Sequence, residues 1–259
     1  MVMVRRESSK IVERNLPVVT LMREIKGEHP FWGYRRIWAY LRFVKGLEIN
    51  KKRVLRLMRR YDLLVKPNQR LKAVRTPLKS KPRPDRPDQW WGIDMTKVKV
   101  GSFGWMYIVL VLDWYTKKIV GHYAGVQCTS RHWLEALDMA VNNQFPEGAR
   151  GNNLSLMSDN GCQPTAVRFM KSCRDLGIDQ AFTSYNNPKG NADTERLIRT
   201  MKEELLWLRE WDNPFELVND LKEWVDSYNR NYLHSALGYR TPIQAENDYY
   251  KESILIKST

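Results

Sequence analysis

Residues 90–126 have the sequence WWGIDMTKVKVGSFGWMYIVLVLDWYTKKIVGHYAGV, in which three runs are rich in β-branched and aromatic residues. Turn-forming residues separate these runs at Gly101–Gly104 and near Asp113. Runs of this composition and length predict strands, and the short turns between them predict an antiparallel meander.

The segments that follow alternate between helical and strand patterns. In chain order we expect a helix over about 130–143, a short strand LSLMS ending at Asp159, a helix over about 165–176, a short strand IDQAFT, and helices over about 189–209 and 214–230. Three antiparallel strands followed by alternating helices and strands predict an α/β fold with a mixed sheet.

Positive charge is concentrated in the first third of the chain. Residues 1–89 contain 24 Lys and Arg and 8 Asp and Glu, a net charge of +16, whereas residues 90–259 have a net charge of −2. Positive charge confined to one part of the chain contributes nothing to the stability of the fold, but it attracts polyanions. Nucleic acid is the expected partner, because each neutralised phosphate releases counterions. The alternative is a solvated basic surface without a partner.

Cysteine and hydropathy patterns argue against several other classes of protein. The three cysteines, Cys128, Cys162 and Cys173, show no CxxC spacing. This argues against a disulfide framework or a zinc site and favours a reducing cytosol. No window approaches eighteen consecutive apolar residues, and the N-terminus lacks the apolar core of a secretory signal. We therefore expect neither a membrane span nor a secreted protein.

Three short helices are predicted near the N-terminus, over about 16–26, 33–45 and 50–62, with Asn50 as the N-cap of the third. The apolar side of the third helix is formed by Val54, Leu57, Met58 and Tyr61. Its other side is basic, which is typical of a helix-turn-helix recognition element, although a solvated amphipathic helix has the same pattern. The candidate DNA-binding residues of this region are Arg35, Arg36, Lys51, Lys52, Arg53, Arg56, Arg59 and Arg60.

Three carboxylates are candidates for catalysis. Asp94 lies in the middle of a strand, where Asp is rare, Asp159 ends an apolar strand, and Glu195 lies in a predicted helix. Two strand ends and a helix can bring such groups to one edge of a sheet. Clustered carboxylate oxygens suit Mg²⁺ or Mn²⁺, and a pair of ions would activate an attacking oxygen and stabilise a leaving one. Because 21 acidic residues lie from Trp90 onward, spacing alone leaves other triples open.

Several motifs resemble those of the DDE transposases and retroviral-type integrases, whose core is ribonuclease-H-like. Thirty-five residues separate Asp159 from Glu195, as in that superfamily, and Lys202 follows Glu195 by seven positions, as the family's basic residue does. The fragments WWGIDMT, SDNGCQ and KGNADTER resemble the surroundings of the three family carboxylates. HPFWGYRRI at 29–37 and YNRNYLHSALGYRTP at 228–242 are similar to signatures of certain bacterial insertion-sequence transposases. In these transposases the second of two overlapping reading frames encodes the catalytic protein.

The resemblance implies a metal-dependent DNA transposase. It would cleave a strand at the ends of an insertion sequence and join the freed 3′-hydroxyl to another phosphodiester. Asp94, Asp159 and Glu195 would be the catalytic residues and the ligands of Mg²⁺ or Mn²⁺, with two ions expected. Arg199 and Lys202 share a helical face with Glu195 and would contact DNA.

The same resemblance implies partners and a location. The partners are double-stranded DNA at the element ends and at the target, further copies of the chain on that DNA, and a first-frame protein, because the chain begins at the helix-turn-helix-like segment. The location is the bacterial cytoplasm, in association with the nucleoid. Two other functions remain open: a structure-selective nuclease of the same fold and a catalytically silent DNA-binding regulator.

The expected architecture is an α/β ribonuclease-H-like mixed sheet flanked by helices, preceded by a small all-α domain. Residues 1–65 would form the helix-turn-helix-like DNA-binding domain and residues 66–89 a basic, proline-rich linker. Residues 90–211 would form the catalytic core and residues 212–259 a C-terminal helical extension.

A few neighbouring residues have other interpretations. We expect Asp113 to be a turn residue and Asp193 to face away from the site. Cys162 stands where the family usually has serine, with little expected change, and Tyr232 replaces a basic residue, which implies a weaker DNA contact. A loop at the substrate entrance is expected to contain Asn187, Lys189 and Gly190.

Overall fold

A computed structural model describes residues 9–65, 82–183 and 190–257, which belong to two compact units. The N-terminal unit (residues 9–65) is helical. Its elements are α1 (Ser9–Glu28), α2 (Tyr34–Ala39), a π-helical turn at Tyr40–Val44 that continues α2, and α3 (Lys51–Arg60). Among the described residues, no helix is long and apolar enough to cross a membrane.

Burial of one side of each helix holds the N-terminal unit together. Val54, Leu57 and Met58 of α3 are buried in one apolar cluster with residues of α1 and α2, as the spacing predicted. The Asn50 side chain accepts a hydrogen bond from the backbone N–H of Lys52, which confirms the predicted N-cap. Helix α1 begins at Ser9, earlier than expected. It continues through Pro17, a residue that usually marks a helix start.

The core unit (residues 82–257) contains a five-stranded sheet in the order β3-β2-β1-β4-β5. The strands are β1 (Trp90–Val100), β2 (Gly104–Asp113), β3 (Ile119–Gly125), β4 (Ser155–Ser158) and β5 (Asp179–Phe182). The first three are antiparallel neighbours, whereas β1, β4 and β5 pair in parallel. The meander and the mixed sheet expected from the sequence are therefore confirmed.

Helices cover both faces of this sheet. They are α4 (Ser130–Gln144), α5 (Val167–Leu176), α6 (Ala192–Met201) with a π-helical turn at Lys202–Leu206, α7 (Pro214–Asn231) and α8 (Pro242–Lys257). Alternate residues of β2 point to opposite faces. Val109 and Val111 share an apolar cluster with residues of α4 and α5, whereas Ile108 and Leu110 share one with residues of α6 and α7.

The packed core extends beyond both limits expected for it. Residues 66–81 of the predicted linker lie outside the described residues, but Asp88 is buried and its side chain accepts a hydrogen bond from Trp91 Nε1. At the other end, Leu217 and Leu221 of α7 lie in the same apolar cluster as β2. The predicted C-terminal extension is helical, and its first helix is part of the core.

Candidate active site

Asp94 and Asp159 lie near each other at one edge of the β1–β4 pair. The parallel pairing of β1 with β4 joins Gly92 to Met157. Each aspartate follows two residues later, and the negative charge of Asp159 acts on Asp94. Met157 belongs to the cluster under α6 and α7, so side-chain alternation turns both aspartates toward that face.

Helix α6 brings Glu195 to the same edge. Leu197, Ile198 and Met201 bury one side of α6 in the cluster that contains Met157. Glu195 is exposed on the first turn of this helix, where its backbone N–H bonds to the oxygen of Asn191. Strand β1, the residue after strand β4 and helix α6 therefore bring the three predicted carboxylates to one region.

The electrostatics of Asp94 show that the three carboxylates interact. Burial first, and then the negative charges of Asp159 and Glu195, raise the pKa of Asp94 to about 6, although the Met95 N–H and the positive charge of Lys202 act in the opposite direction. Carboxylates in such surroundings repel one another and favour a shared cation.

The carboxylate oxygens of this site suit a hard divalent cation, although the three side chains are not arranged around one. Asp94 Oδ1 accepts from the N–H of Met95 at 2.7 Å, and Asp159 Oδ1 accepts from the N–H of Gly161 at 3.0 Å. In each aspartate, this backbone bond involves Oδ1 alone. Within the described part of the chain, no group of three or more His, Cys, Asp or Glu side chains is drawn together tightly enough to hold a metal ion as it stands.

The two basic residues that follow Glu195 differ in their surroundings. Lys202 is half-buried and its charge reaches Asp94. Arg199 is more exposed, and its Nε donates to Glu203 Oε1 at 2.8 Å. The helix widens into a π-helical turn at Lys202, a feature that is frequent at functional sites. The charge of Lys202 thus acts on Asp94, while Arg199 is paired with Glu203.

Comparison with known proteins assigns both units. Two models described as integrase core domain match residues 84–188 and 176–242, and an HTH-like domain matches residues 13–70. The transposase for insertion sequence element IS629 of Shigella sonnei is 27% identical over 241 residues, which cover 89% of this chain and 78% of that relative. Transposase InsD for insertion element IS2A/D/F/H/I/K of Escherichia coli is 27% identical over 237 residues, covering 87% of this chain and 76% of the relative. The chain belongs to the integrase-core transposases of insertion sequences.

The fold of this transposase is similar to that of a viral integrase. A chain of the simian T-cell lymphotropic virus intasome superposes with a TM-score of 0.51 at 15% identity, covering 87% of this chain and 74% of that one. The ribonuclease-H-like, integrase-type fold expected for the core and the helical HTH-like unit before it are thus both confirmed.

The predicted DNA-binding residues of the transposase lie on different parts of the N-terminal unit. Lys52, Arg56 and Arg59 are exposed at positions i, i+4 and i+7, opposite the buried side of α3. Lys51 lies over the Trp38 ring, 4.1 Å from its centroid. Arg60 is exposed at the last position of α3, and in α2 Arg35 is exposed and Arg36 half-buried.

Arg53 has a structural contact that its place in the basic pattern does not reveal. Its Nη2 and Nε donate to Asn15 Oδ1 at 2.7 and 3.1 Å, so the guanidinium joins α3 to α1. Asn15 is buried, which makes this bond part of the core of the unit. Arg53 therefore differs from its exposed neighbours, although sequence reasoning grouped them together.

Residues near the three candidate carboxylates confirm some expectations and revise one. Asp113 Oδ2 accepts from the backbone N–H and the hydroxyl of Thr116, as a turn residue does. Asp193 pairs with Lys117 at 2.9 Å. Tyr232 is buried and packs against Tyr228, so it is part of the core and the expected weakening of a DNA contact does not apply there. Of the expected entrance loop, Asn187 and Lys189 lie outside the described residues, and Gly190 is buried.

Sequence reasoning missed a group of residues beside Asp94 and Glu195. Trp114 Nε1 donates to Thr194 Oγ1 at 3.2 Å, and Asn191 Nδ2 donates to the backbone oxygen of Ile93 at 3.2 Å. A signal was available, because glycine in the middle of a strand often marks the close approach of another segment. Gly92 is such a residue, and α6 lies against it.

Proposed function

We propose that this transposase cleaves and joins DNA strands with Asp94, Asp159 and Glu195 as its catalytic, metal-binding residues. The observation that carries the proposal is the convergence of strand β1, the residue after strand β4 and helix α6, where the charges of Asp159 and Glu195 act on Asp94. Three acidic groups in one place repel DNA unless cations neutralise them. This arrangement therefore favours metal-dependent phosphodiester chemistry over simple DNA binding.

The carboxylates would hold Mg²⁺ or Mn²⁺, and two ions are the expected number. Such ions supply activation of an attacking oxygen and stabilisation of a leaving oxygen at phosphorus. The half-buried position of Asp94 limits its motion, and its second oxygen is available to a ligand. Lys202 lies close enough to this acidic group to balance its charge and attract a DNA phosphate.

The reaction would have two steps of the same kind. Water first attacks a phosphodiester at the element end, a P–O bond to the 3′ oxygen breaks, and that oxygen gains a proton to become the 3′-hydroxyl. This hydroxyl then attacks a phosphodiester of the target. Its oxygen forms the new P–O bond, and the displaced target oxygen takes up the balancing proton. One acidic site can perform both steps, because each exchanges one oxygen for another at phosphorus.

The basic side of α3 would bind the DNA. The first turn of α3 contains Lys51 and Lys52 and no acidic residue, although cations are unfavourable at a helix N-terminus. A DNA phosphate at this end would compensate the repulsion and match the positive end of the helix. Two element ends must meet for transposition, so we infer assembly of several copies on DNA in the bacterial cytoplasm, with a first-frame protein as a further partner.

The test is an assay for joined strands. The purified protein is incubated with a labelled duplex of the element end and Mg²⁺, with Asp159→Asn as the comparison. Joined products that disappear in the variant, while DNA binding remains, are the expected result. Cleavage without joining would instead identify a nuclease. DNA binding without any product, even after the first-frame protein is added, would identify a silent regulator and overturn the proposal.

A further inference from the structure

The first turn of α6 is joined to the sheet by buried hydrogen bonds next to the catalytic carboxylates. Asn191 Nδ2 donates to the oxygen of Ile93, the residue before Asp94. Thr194, the residue before Glu195, accepts from Trp114 Nε1. The β1–β4 pairing ends at Gly92, whereas β1 continues to pair with β2, so the bond from Asn191 adds to the hold of β2 on β1 at Ile93.

Gly92 makes this close approach possible. A Cβ at Gly92 would lie 2.0 Å from Thr194 Oγ1, 2.4 Å from Trp114 Nε1 and 2.8 Å from Asn191 Oδ1. No side chain larger than hydrogen fits without moving α6 away from β1. The same face of β1 carries Asp94 two residues later, so a shift of α6 changes the distance between Asp94 and Glu195.

The side chains involved are more polar than packing requires. Thr194 is fully buried, and its neighbours on the buried side of α6 are Leu197 and Ile198. Asn191 is also buried, and its Oδ1 has no hydrogen-bond donor among the described residues. A helix that needed only to pack would be better served by apolar residues here, because buried polar groups are costly.

An ion pair at the surface completes the attachment. Lys117 Nζ lies 2.9 Å from Asp193 Oδ2 and also donates to the backbone oxygen of Trp114 at 2.6 Å. Lys117 and Trp114 both belong to the turn after β2, so this turn contacts α6 at two consecutive residues, Asp193 and Thr194.

We propose that Asn191 and Thr194 are positioning residues that fix helix α6 on strand β1 and thereby set Glu195 opposite Asp94. The inference rests on the proposed function, since it assigns these residues a role in assembling the metal-binding carboxylates. Neither residue touches the reacting atoms. Each residue acts indirectly, because its hydrogen bond holds the backbone next to Asp94 or Glu195 in place.

The experiment compares Thr194→Val, Thr194→Ser and Asn191→Ala with Thr200→Val in the full-length protein. Valine keeps the volume of Thr194 but cannot accept the indole N–H, whereas serine can. Thr200 is a second buried threonine of α6 that is not part of this attachment, so it is the matched control. The readouts are Mn²⁺ binding by electron paramagnetic resonance, hydrogen exchange of residues 190–197, and the thermal midpoint.

We expect Thr194→Val and Asn191→Ala to weaken Mn²⁺ binding by about 10- to 100-fold, as loss of a supporting contact does at metal sites. Exchange in residues 190–197 should become faster in both, while Thr194→Ser and Thr200→Val remain close to wild type in both readouts. If Thr194→Val alters only the thermal midpoint, to the same extent as Thr200→Val, the positioning role is wrong.

Failure of the proposed function has a different signature. A wild-type protein that binds no Mn²⁺ and joins no strands would overturn the metal-dependent function and, with it, the positioning of metal ligands. The exchange measurement would still show whether Asn191 and Thr194 fasten α6. The two failures are therefore distinguishable.

Discussion

The N-terminal unit and the core unit differ in the sign of charge of their candidate functional groups and in how far those groups are buried. In the N-terminal unit, Lys52, Arg56 and Arg59 lie exposed on one helix, and the fold does not depend on where their charged ends point. In the core unit, Asp94 is half-buried on the central strand β1, and the N–H of Met95 bonds to its carboxylate. Binding a phosphate backbone tolerates mobile side chains, whereas phosphoryl transfer requires groups held in place.

The largest expected effect follows from removing a charge in the core unit. Glu195→Gln should reduce cleavage and joining by at least about 1,000-fold, about 4 kcal/mol of transition-state stabilisation, because a neutral amide is a poor ligand for a divalent cation. DNA affinity should be retained, since a negative charge is removed. Gel assays of product and anisotropy measurements of binding separate the two quantities.

The matched control is Glu203→Gln on the following π-helical turn. Glu203 pairs with Arg199 and lies eight residues after Glu195. Its replacement should leave most of the strand-joining activity. Equal losses in both variants would mean that general electrostatics, and not a specific ligand, explain the activity of the core unit.

In the N-terminal unit, charge removal should affect affinity and leave chemistry unchanged. The triple replacement of Lys52, Arg56 and Arg59 by alanine should lower the slope of log affinity against log salt by about 3 units, about one for each phosphate contact. Arg53→Ala should leave this slope unchanged but lower the free energy of unfolding, because Arg53 bonds to Asn15. The contrast between exposed and structural cations fails if Arg53→Ala changes the slope as much as each exposed residue does.

A smaller effect is expected at Asp88, a buried acid outside the catalytic triad. Burial, and then the charge of Asp113, raise the pKa of Asp88 to about 7. Because this folded-state pKa lies above the unfolded value, ionisation opposes folding. The free energy of unfolding should therefore fall as pH rises from about 4 to about 7.

Asp88→Asn removes that charge and keeps an oxygen for the bond from Trp91. Urea unfolding should show the variant more stable than wild type at pH 8, by roughly 2–4 kcal/mol. At pH 4.5 the difference should be much smaller. The same difference at both pH values would show that ionisation of Asp88 is not its cause.

The smallest effect is expected at Cys162, three residues after Asp159. Its thiol is exposed and donates to Gln163 Oε1 at 3.3 Å, a bond that a serine hydroxyl can also make. Cys162→Ser should change the rate of strand joining by less than about 1 kcal/mol in activation free energy. A large change would show that this loop, like the strands, has a strict requirement for the residue at each position.

The first three strands were predictable from sequence for a physical reason. Apolar residues and turns alternate so regularly over 90–126 that few other pairings of these strands are open. Asp94, Asp159 and Glu195 were proposed from motif spacing, and their assignment as metal ligands remains a prediction. The pattern over 90–126 does not depend on contacts between distant segments.

What the sequence did not predict depends on such contacts. The bond from Trp114 to Thr194 joins residues 80 positions apart, and nothing local distinguishes Thr194 from an ordinary helical threonine. Arg53 and Arg56 look alike in a helical pattern, yet only the position of α1 makes one of them structural. The early start of α1 was missed because Pro17 is tolerated within that helix.

The order of these elements along the chain also determines when, during synthesis, the candidate active site can assemble. Asp94 and Asp159 are 65 positions apart in sequence, and Glu195 follows only after β5 has been made. The last described helix of the N-terminal unit ends at Arg60, about 130 residues before Glu195 emerges, which corresponds to roughly 7–26 s at bacterial elongation rates. A nascent chain thus contains its basic helix α3 well before the proposed active site can assemble.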